Sequence, residues 1–429
     1  MNSGKTRDAV VEDLGRTVTD KFGVAGLAIG IVKDGHVYAE GFGVKDITTR
    51  EPVTANSLFH LASISKTFVA TAVMQLVERG KLELDTPLIT YVPDFVLDDD
   101  RFRQITVRQM LSHTSGMPDT DDYGWDRPEY DDRALERYVH SLATKKLIAA
   151  PVLGLLVART SSQSFEDYLQ ENILRPLEMS SSTFLKMEVA PAHATAPHIL
   201  LPPTVTSPEY PYNRAHAPSS TLHSSALELC NWALMNLNQG EFQGRPILQA
   251  SSLEQMWQPH QPTGPQNQDE FVGLSWFIDT CHGHRRVGHN GADIGFQSDL
   301  VLLPDRSLAV IVLANTLPAP VNTLADTVVD ILLGIAPHFP QPPMLVTFGT
   351  TLAAVEIQEA ADLYRRLQEA HNDQYNFGSE QFLDIGFTLL EVRRFAEGLR
   401  LVQLGVELFP DSSELAELLE RARSQFGET

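Results

Sequence analysis

A serine and a lysine three residues apart mark the stretch that most constrains this chain. Ser63 and Lys66 stand at the start of an apolar run over residues 68–77, whose pattern predicts a helix. On a helix, residues at this spacing lie on one face, about one turn apart. A serine hydroxyl is a poor nucleophile until a neighbouring base takes its proton, and a lysine can be that base once burial or a second cation lowers its pKa. The stretch therefore predicts a nucleophile and its base at a helix N-terminus.

Composition excludes several partner classes. The 429 residues leave room for more than one domain, and the apolar and charged fractions, 43% and 21%, are those of a soluble globular protein. A formal net charge of −22 disfavours nucleic acid and anionic membranes as partners, because both need a basic surface. Residues 1–24 show no apolar signal-peptide core, and no stretch approaches the ~20 apolar residues of a membrane span. We therefore expect a cytoplasmic protein.

The cysteines and nearby histidines predict neither a disulfide framework nor a metal site. Cys230 and Cys281 are the two cysteines, and we expect them to be reduced thiols. Cys281, His282 and His284 with His289 are residue types that bind zinc, but residues 281–284 are typical of a hairpin tip and no carboxylate or fourth ligand is suitably spaced. The sequence predicts no metal and no organic cofactor.

The order of predicted elements indicates an α+β fold. Strands are predicted at 25–33, 36–42, 271–280, 285–288, 299–303 and 308–314, and Asp34-Gly35 is a strong hairpin signal between the first two. Helices are predicted before residue 25 and at 63–79, 105–111, 134–142, 164–175, 224–238 and 324–333. In the helix 224–238 we expect Leu227, Trp232 and Leu234 on the buried side. Both chain ends then supply strands to one mixed antiparallel sheet, with a helical block between them.

The last part of the chain has a different periodicity. Residues 337–343 contain four prolines, and we place a linker at 337–351 between a first domain, 1–336, and an all-α domain, 352–429. Residues 382–410 carry small and apolar residues at the offsets of a tetratricopeptide repeat. A plain helical bundle stays open, because glycine replaces alanine at two packing positions.

Further motifs follow the Ser63 stretch in a fixed order. They are Leu-Ser-His-Thr-Ser-Gly at 111–116, Gly-Leu-Ser-Trp-Phe at 273–277 and Arg-Val-Gly-His-Asn-Gly at 286–291. Together with Ser-x-x-Lys, they resemble the class C β-lactamase-related serine hydrolases, a family that includes penicillin-binding proteins, DD-peptidases and several esterases. The resemblance runs from about residue 25 to 333. It implies a β-lactamase/transpeptidase-like domain ahead of the linker.

The resemblance implies an acyl-enzyme mechanism on ester, amide or lactam carbonyls of a small molecule or peptide. Ser63 would be the nucleophile and Lys66 its base. The backbone N–H groups of Ser63 and of Ala292, which is expected on an edge strand, would form the oxyanion hole. The absence of a visible leader favours an intracellular esterase or peptidase over a secreted lactamase.

Four further residues are expected beside this centre. His289, Asn290 and Gly291 stand where the family usually has Lys-Thr-Gly. We expect His289 to line the cleft and to orient the substrate or the proton path, with Asn290 and Gly291 contacting the substrate. His113 lies in the segment that family members carry beside the cleft, and we expect it to help bind the substrate as a structural hydrogen-bonding group rather than a base. Taken by itself, His289 would be interpreted as a residue of a surface turn. Its position before Asn-Gly and after a strand favours a location in the cleft.

One family motif is missing. A Tyr-x-Asn segment should follow a Pro-Gly, yet Ala150-Pro151 runs directly into Val152, and no Tyr-x-Asn occurs anywhere in the chain. In the family, the tyrosine shares proton transfer with the lysine, so its loss predicts impaired catalysis of about 10²–10⁴-fold. The alternative is a catalytically dead hydrolase fold that recruits a protein partner through its helical tail.

Overall fold

The computed structural model describes residues 7–115, 122–144, 151–264 and 267–426. Its strands are β1 Gly26–Lys33, β2 His36–Gly43, β3 Phe59–His60, β4 His198–Ile199, β5 Val205–Thr206, β6 His223–Ser224, β7 Glu241–Phe242, β8 Arg245–Pro246, β9 Gln261–Gly264, β10 Asn267–Val272, β11 Phe277–Cys281, β12 His284–Asp293, β13 Phe296–Leu303, β14 Leu308–Ala314 and β15 Thr316–Leu317.

The α-helices, listed in chain order, are α1 Arg7–Lys21, α2 Ser65–Glu78, α3 Val107–Leu111, α4 Ala134–Ser141, α5 Pro151–Ser161, α6 Phe165–Leu169, α7 Ala217–Ser220, α8 Ala226–Leu237, α9 Ala250–Met256, α10 Val321–Leu333, α11 Met344–Ala353, α12 Ile357–His371, α13 Glu380–Glu391, α14 Phe395–Leu408 and α15 Ser413–Phe426. A 3₁₀ turn, Ala62–Ile64, precedes α2. Among the described residues, no helix is long and apolar enough to cross a bilayer.

One antiparallel sheet joins the two ends of the first domain, as the sequence predicts. Within the described ranges it has eight strands in the order β2-β1-β14-β13-β12-β11-β10-β9. Asp34 and Gly35 both have positive φ, 52° and 80°, which suits a two-residue hairpin turn between β1 and β2. Strand β1 pairs on its other side with β14, so strands from the beginning and the end of the first domain are hydrogen-bonded neighbours near one edge of the sheet.

Helices cover both faces of this sheet. In β14, Leu308, Val310 and Val312 pack with α1 and α10, whereas Ile311 and Leu313 pack with α2, α8 and the helices of the middle region. This two-sided burial explains why the strand is apolar throughout rather than alternating. Helix α2 is almost entirely buried within the second of these layers. The candidate nucleophile is therefore held at the end of a helix in the core.

The sequence places several element ends correctly. Thr106 caps α3 through a capping box with Gln109, and Gly80 takes the left-handed conformation, at φ +65°, just after α2. The predicted burial of Trp232 in α8 is confirmed, but Leu227 is 39% exposed and Leu234 only half-buried. Helix α8 turns the side of Trp232 toward the core, and Leu227, five positions earlier, lies on a different side of the helix.

The predicted strand 271–280 is wrong, because two strands, β10 and β11, occupy this part of the chain. The break falls at residues 273–276, where Ser275 has φ +61°. Leu274, Ser275 and Trp276 are all buried, so the alternation of a half-buried strand is lost here. The backbone N–H of Ser275 donates to the carbonyl of Leu111 at 2.7 Å, outside the sheet, where the chain bends between β10 and β11.

The helical tail begins earlier than the sequence suggests. Helix α11 begins inside the predicted linker 337–351 and extends past its end, and Met344 and Leu345 are buried in the tail's core, so the proline-rich extended part ends at Pro343. The tail also contacts the first domain, since Leu200 belongs to the same apolar cluster and Thr350 Oγ1 donates to the carbonyl of Pro202 at 3.1 Å. The two parts are therefore packed together.

Candidate active site

Ser63 stands at a sharp change of direction between β3 and α2. Ala62 has φ +49°, a left-handed conformation that is costly for a residue with a Cβ. The chain then makes the 3₁₀ turn, and Lys66 is the second residue of α2. Ser63 lies in this turn rather than within the helix itself. The Lys66 Nζ atom lies 2.6 Å from Ser63 Oγ, so the nucleophile and base predicted from the sequence are hydrogen-bonded to each other.

A second contact fixes the lysine. Lys66 Nζ donates to the carbonyl oxygen of Ser219 in α7 at 3.1 Å. The neighbouring Ser220 lines the same cleft as Ser63, and its buried Oγ has no hydrogen-bond partner among the described residues. Sequence analysis missed both serines, because nothing in their local pattern distinguishes them from an ordinary short helix. Helix α7 thus holds the base in place from the opposite side.

Strand β12 passes directly beside the nucleophile. A Cβ built on Gly291 would lie only 2.8 Å from the backbone N of Ser63 and 2.7 Å from Ser298 Oγ. Ser298 Oγ in turn donates to the carbonyl of Leu61 at 2.8 Å. Gly291 is therefore required because the two backbones approach closely here. From the sequence, this residue is expected to contact the substrate, and the structure gives it a packing role.

Ala292 follows Gly291 and lines the cleft together with Ser63. The expectation of an edge strand is wrong, because β12 lies between β13 and β11. Pairing with β11 stops at Gly288, however, and residues 289–293 pair only with β13 in the described part of the chain. From His289 onward, the edge of β12 that faces β11 is no longer paired with β11, and this stretch lies beside Ser63. The oxyanion-hole role of the Ser63 and Ala292 N–H groups stays a prediction.

His289 is buried on the same face of β12 as Gly291. Its Nδ1 lies 2.6 Å from the carbonyl oxygen of Asn290, and its ring packs 4.7 Å from that of Phe277. Because a carbonyl oxygen only accepts, Nδ1 carries the hydrogen and Nε2 is left with its lone pair. Burial, followed by the nearby charge of Lys66, lowers the pKa of His289 to about 3. The ring is therefore neutral at physiological pH.

Asn290 and His113 differ in their relation to this centre. Asn290 is exposed and lines a small cavity with His289, Asp299 and Asp326. His289 therefore lines this cavity and not, as expected from the sequence, the cleft that contains Ser63. The structure does not bring the Asn290 side chain to Ser63. His113 is exposed, with φ +55°, and it contributes to the low pKa of His289 through its charge. It therefore lies near the centre, on the side of His289.

A buried histidine–aspartate pair joins the two strands of the site, and sequence analysis missed it. His60 Nε2 lies 2.7 Å from Asp293 Oδ2, and both side chains are buried. His60 belongs to β3, three residues before the nucleophile, and Asp293 directly follows Ala292. The pair thus ties the Ser63 turn to the end of β12. The only sequence signal was a histidine and an acidic residue directly beside two motifs.

The family comparison agrees with this geometry. Residues 11–333 match the family model described as Beta-lactamase, about three quarters of the chain. The chain belongs to the beta-lactamase family. Among its relatives are Protein flp of Staphylococcus aureus (strain NCTC 8325 / PS 47), 26% identical over 68% of this chain, and Penicillin-binding protein 4 of Amycolatopsis lactamdurans, 29% identical over 68% of this chain and 81% of its own length. The match spans 60% of the length of Protein flp.

Solved structures of this fold are also similar. The octameric penicillin-binding protein homologue from Pyrococcus abyssi matches with a TM-score of 0.67 and 26% identity over 82% of each chain. A class C beta lactamase from Rhodobacter sphaeroides matches with a TM-score of 0.62 and 19% identity, over 77% of this chain and 99% of that one. The predicted β-lactamase/transpeptidase-like fold is confirmed, and the family is one of serine hydrolases.

This member of the beta-lactamase family departs from the family pattern at the missing Tyr-x-Asn. The expected position borders residues 145–150, which lie outside the described residues, and helix α5 begins at Pro151. Since the chain contains no Tyr-x-Asn anywhere, the described site holds the serine–lysine pair without that tyrosine.

The residues considered for zinc are paired elsewhere. His282 Nε2 lies 2.7 Å from Asp330 Oδ1, and His284 Nδ1 lies 2.6 Å from Asp305 Oδ2. Cys230 and Cys281 are free thiols. No group of three potential metal ligands occurs in the ranges that the structure describes.

Because His289 is neutral, replacing it should not alter the pH dependence of catalysis. A group with a lowered pKa of about 3 does not titrate between pH 5 and 9, so it contributes no limb to the profile there. We expect His289→Gln to lower the rate of ester hydrolysis but to leave the shape of the profile of kcat/KM against pH unchanged. Loss or displacement of the acid limb in this variant would make His289 a titrating base and contradict this reading.

The buried pair should matter for stability. Removing one partner of a buried hydrogen bond leaves the other unpaired, which costs about 1–3 kcal/mol and more where that group is charged. We expect Asp293→Ala to lower the free energy of unfolding by that order, measured by chemical denaturation. Asp305→Ala is the matched control, since it breaks the exposed pair with His284 and should cost below about 1 kcal/mol. Equal losses in the two variants would show that His60–Asp293 does not act as a buried pair.

Proposed function

We propose that this protein is a serine hydrolase that acts through an acyl-enzyme on ester, amide or lactam carbonyls. The observation that carries the proposal is the 2.6 Å contact between Lys66 Nζ and Ser63 Oγ at the wall of an open cleft. The pair lies where family members carry their nucleophile and base. No metal or organic cofactor enters the scheme.

The chemistry follows from the contacts. Unprotonated Lys66 takes the proton of Ser63 as Oγ attacks the substrate carbonyl carbon, and the carbonyl π electrons move to oxygen. The N–H groups of Ser63 and Ala292 stabilise that oxyanion. When the oxyanion collapses, the bond to the leaving group breaks, the proton held by Lys66 passes to the leaving group or to solvent, and an ester to Ser63 remains. Water then attacks the ester, which releases the acid and restores Ser63.

The missing tyrosine favours esters as substrates. An amine leaves only after it is protonated, whereas a phenolate or enolate leaves without protonation. A site with a single proton carrier therefore suits esters of phenols and enols better than amides. Relatives of this chain include penicillin-binding proteins, which supports a peptide or lactam as the runner-up class. We therefore propose an esterase-like activity first and a peptidase-like activity second.

The lysine variant tests the proposal. Without its base, Lys66→Ala should acylate about 10²–10⁴-fold more slowly, measured as the second-order rate of inactivation by a fluorophosphonate. Lys81→Ala, which removes an exposed lysine beyond the far end of α2, is the matched control and should react at the parent rate. An unchanged rate in Lys66→Ala would remove the lysine from the role of base.

The rival function is a non-catalytic module that uses the helical tail to recruit a protein partner. It is favoured only by the missing tyrosine, since the serine–lysine pair is otherwise assembled. A module predicts that folded protein neither hydrolyses an activated ester nor reacts with a fluorophosphonate. Reaction of the parent at Ser63 would exclude it as the sole function.

A further inference from the structure

The cleft that contains Ser63 has walls from two parts of the chain. Its volume is about 1,060 Å³, far more than an acetyl group fills. One wall holds Ser63, Ser220 and Ala292, and a surface loop supplies Tyr123 and Trp125. The remaining wall comes from the helical tail and is formed by Phe387, Leu390, Glu391, Arg393, Phe395 and Arg421.

Phe387 is the unusual residue of the tail wall. Helix α13 buries Phe382, Ile385 and Leu389 in the tail's own core, but Phe387 lies off this stripe and is 42% exposed. The guanidinium carbon of Arg421 lies 5.9 Å from the centre of its ring, a cation–π arrangement that holds the ring in place. The helix thus presents a large ring to the cleft instead of to its own core.

Two more aromatic rings line the cleft from the surface loop. Tyr123 and Trp125 are stacked, with ring centres 5.2 Å apart, and both are only partly buried. The loop and the tail are joined by an ion pair, in which Arg393 Nη2 lies 3.4 Å from Asp126 Oδ2. This contact fixes the tail wall relative to the loop wall.

The cations of the tail wall do not form an anion site. Arg393 pairs with Asp126, and Arg421 lies 3.9 Å from Glu391. Further carboxylates, Asp122 and Glu209, also line the cleft. Phe395 also lines the cleft but packs against the tail's own apolar core, which leaves three rings, Tyr123, Trp125 and Phe387, in the same cleft as Ser63.

We propose that the helical tail is part of the substrate site and that Phe387, with Tyr123 and Trp125, binds an aromatic group of the substrate. This inference rests on the proposed hydrolase function and adds a substrate class to it: esters or amides that carry an aromatic ring on the acyl or the leaving side. Aromatic rings attract each other beyond their buried area, so losing one of three should weaken binding about three- to ten-fold.

Three esters measured by pH-stat titration test the proposal. Vinyl acetate carries no ring, vinyl 3-phenylpropionate carries one on the acyl side, and phenyl acetate carries one on the leaving side. We expect Phe387→Ala to lower kcat/KM about three- to ten-fold for at least one aromatic ester and to leave vinyl acetate unchanged. Phe339→Ala removes an equally exposed phenylalanine outside the cleft and should change none of the three. An equal effect of Phe387→Ala on all three esters, or none, would overturn the proposal.

A binding measurement separates this inference from the hydrolase proposal. In Ser63→Ala protein, calorimetry should detect binding of 3-phenylpropionamide, and adding Phe387→Ala should weaken it three- to ten-fold. The amide is not turned over, so this result does not depend on catalysis. If the parent protein hydrolyses no ester but Phe387→Ala still weakens binding, the hydrolase proposal is wrong and the aromatic site stands. If Phe387→Ala leaves binding of 3-phenylpropionamide unchanged, the aromatic site alone is wrong.

Discussion

Ser63→Ala is expected to reduce ester hydrolysis to below about 1% of the parent rate, because Ser63 Oγ is the atom that bonds to the acyl group in the proposed mechanism. The variant removes one hydroxyl from the half-buried Ser63 in the 3₁₀ turn before α2 and leaves the Lys66 contact with Ser219 available. The fold should therefore persist, with the same cooperative thermal transition. Hydrolysis of 4-nitrophenyl butyrate, followed by absorbance, measures the rate.

Ser251→Ala is the matched control, since Ser251 is an exposed serine near the start of another helix, α9. It should keep the full rate. If Ser63→Ala retained more than about 1% of the activity while folded, Ser63 would not be the nucleophile. The neighbouring Ser220, whose hydroxyl lines the same cleft, would then be the first alternative to replace.

Leaving groups should divide the substrates sharply. The chain lacks the tyrosine that passes a proton to the leaving group, so a good leaving group is needed. We expect 4-nitrophenyl butyrate to be hydrolysed slowly and the matching butyryl 4-nitroanilide not to be hydrolysed measurably. The ratio of kcat/KM for the ester to kcat/KM for the anilide should exceed the ratio of their uncatalysed hydrolysis rates by about 10²–10⁴. Both substrates carry the same acyl group, so the comparison isolates the leaving step.

An insertion variant provides the converse test. Adding a Gly-x-x-x-x-Tyr-Ser-Asn-type segment after Pro151 should raise anilide turnover more than ester turnover, because only the amine needs the added acid. Comparable kcat/KM values for ester and anilide in the parent would show that another residue already supplies the proton. In that case this account of the missing segment is wrong.

Local patterns were enough to predict most of the first domain. The spacing of Ser63 and Lys66, the Asp34-Gly35 turn and the apolar strand ending at Ala314 each depend on neighbours in sequence, and each matches the structure. Short-range rules failed where burial overrides alternation, as in the strand broken at Ser275. Helix α11 was missed because prolines dominate the composition around it.

The contacts between distant parts of the chain were beyond such patterns. His60 and Asp293 are 233 residues apart in sequence, and the carbonyl of Ser219 that holds Lys66 is 153 residues from it. A backbone carbonyl has no sequence signature at all. The tail wall of the cleft depends on how the helical tail packs against the first domain, and local sequence periodicity does not predict that packing.

The most direct measurement is the intact mass of the full chain after exposure to a fluorophosphonate, followed by peptide mapping. The account predicts one adduct per molecule, located on Ser63, and none on Ser63→Ala protein treated in parallel. Folded parent protein that gains no adduct, or an adduct that persists in the Ser63→Ala variant, would contradict the claim that the serine–lysine pair is a working acylation site.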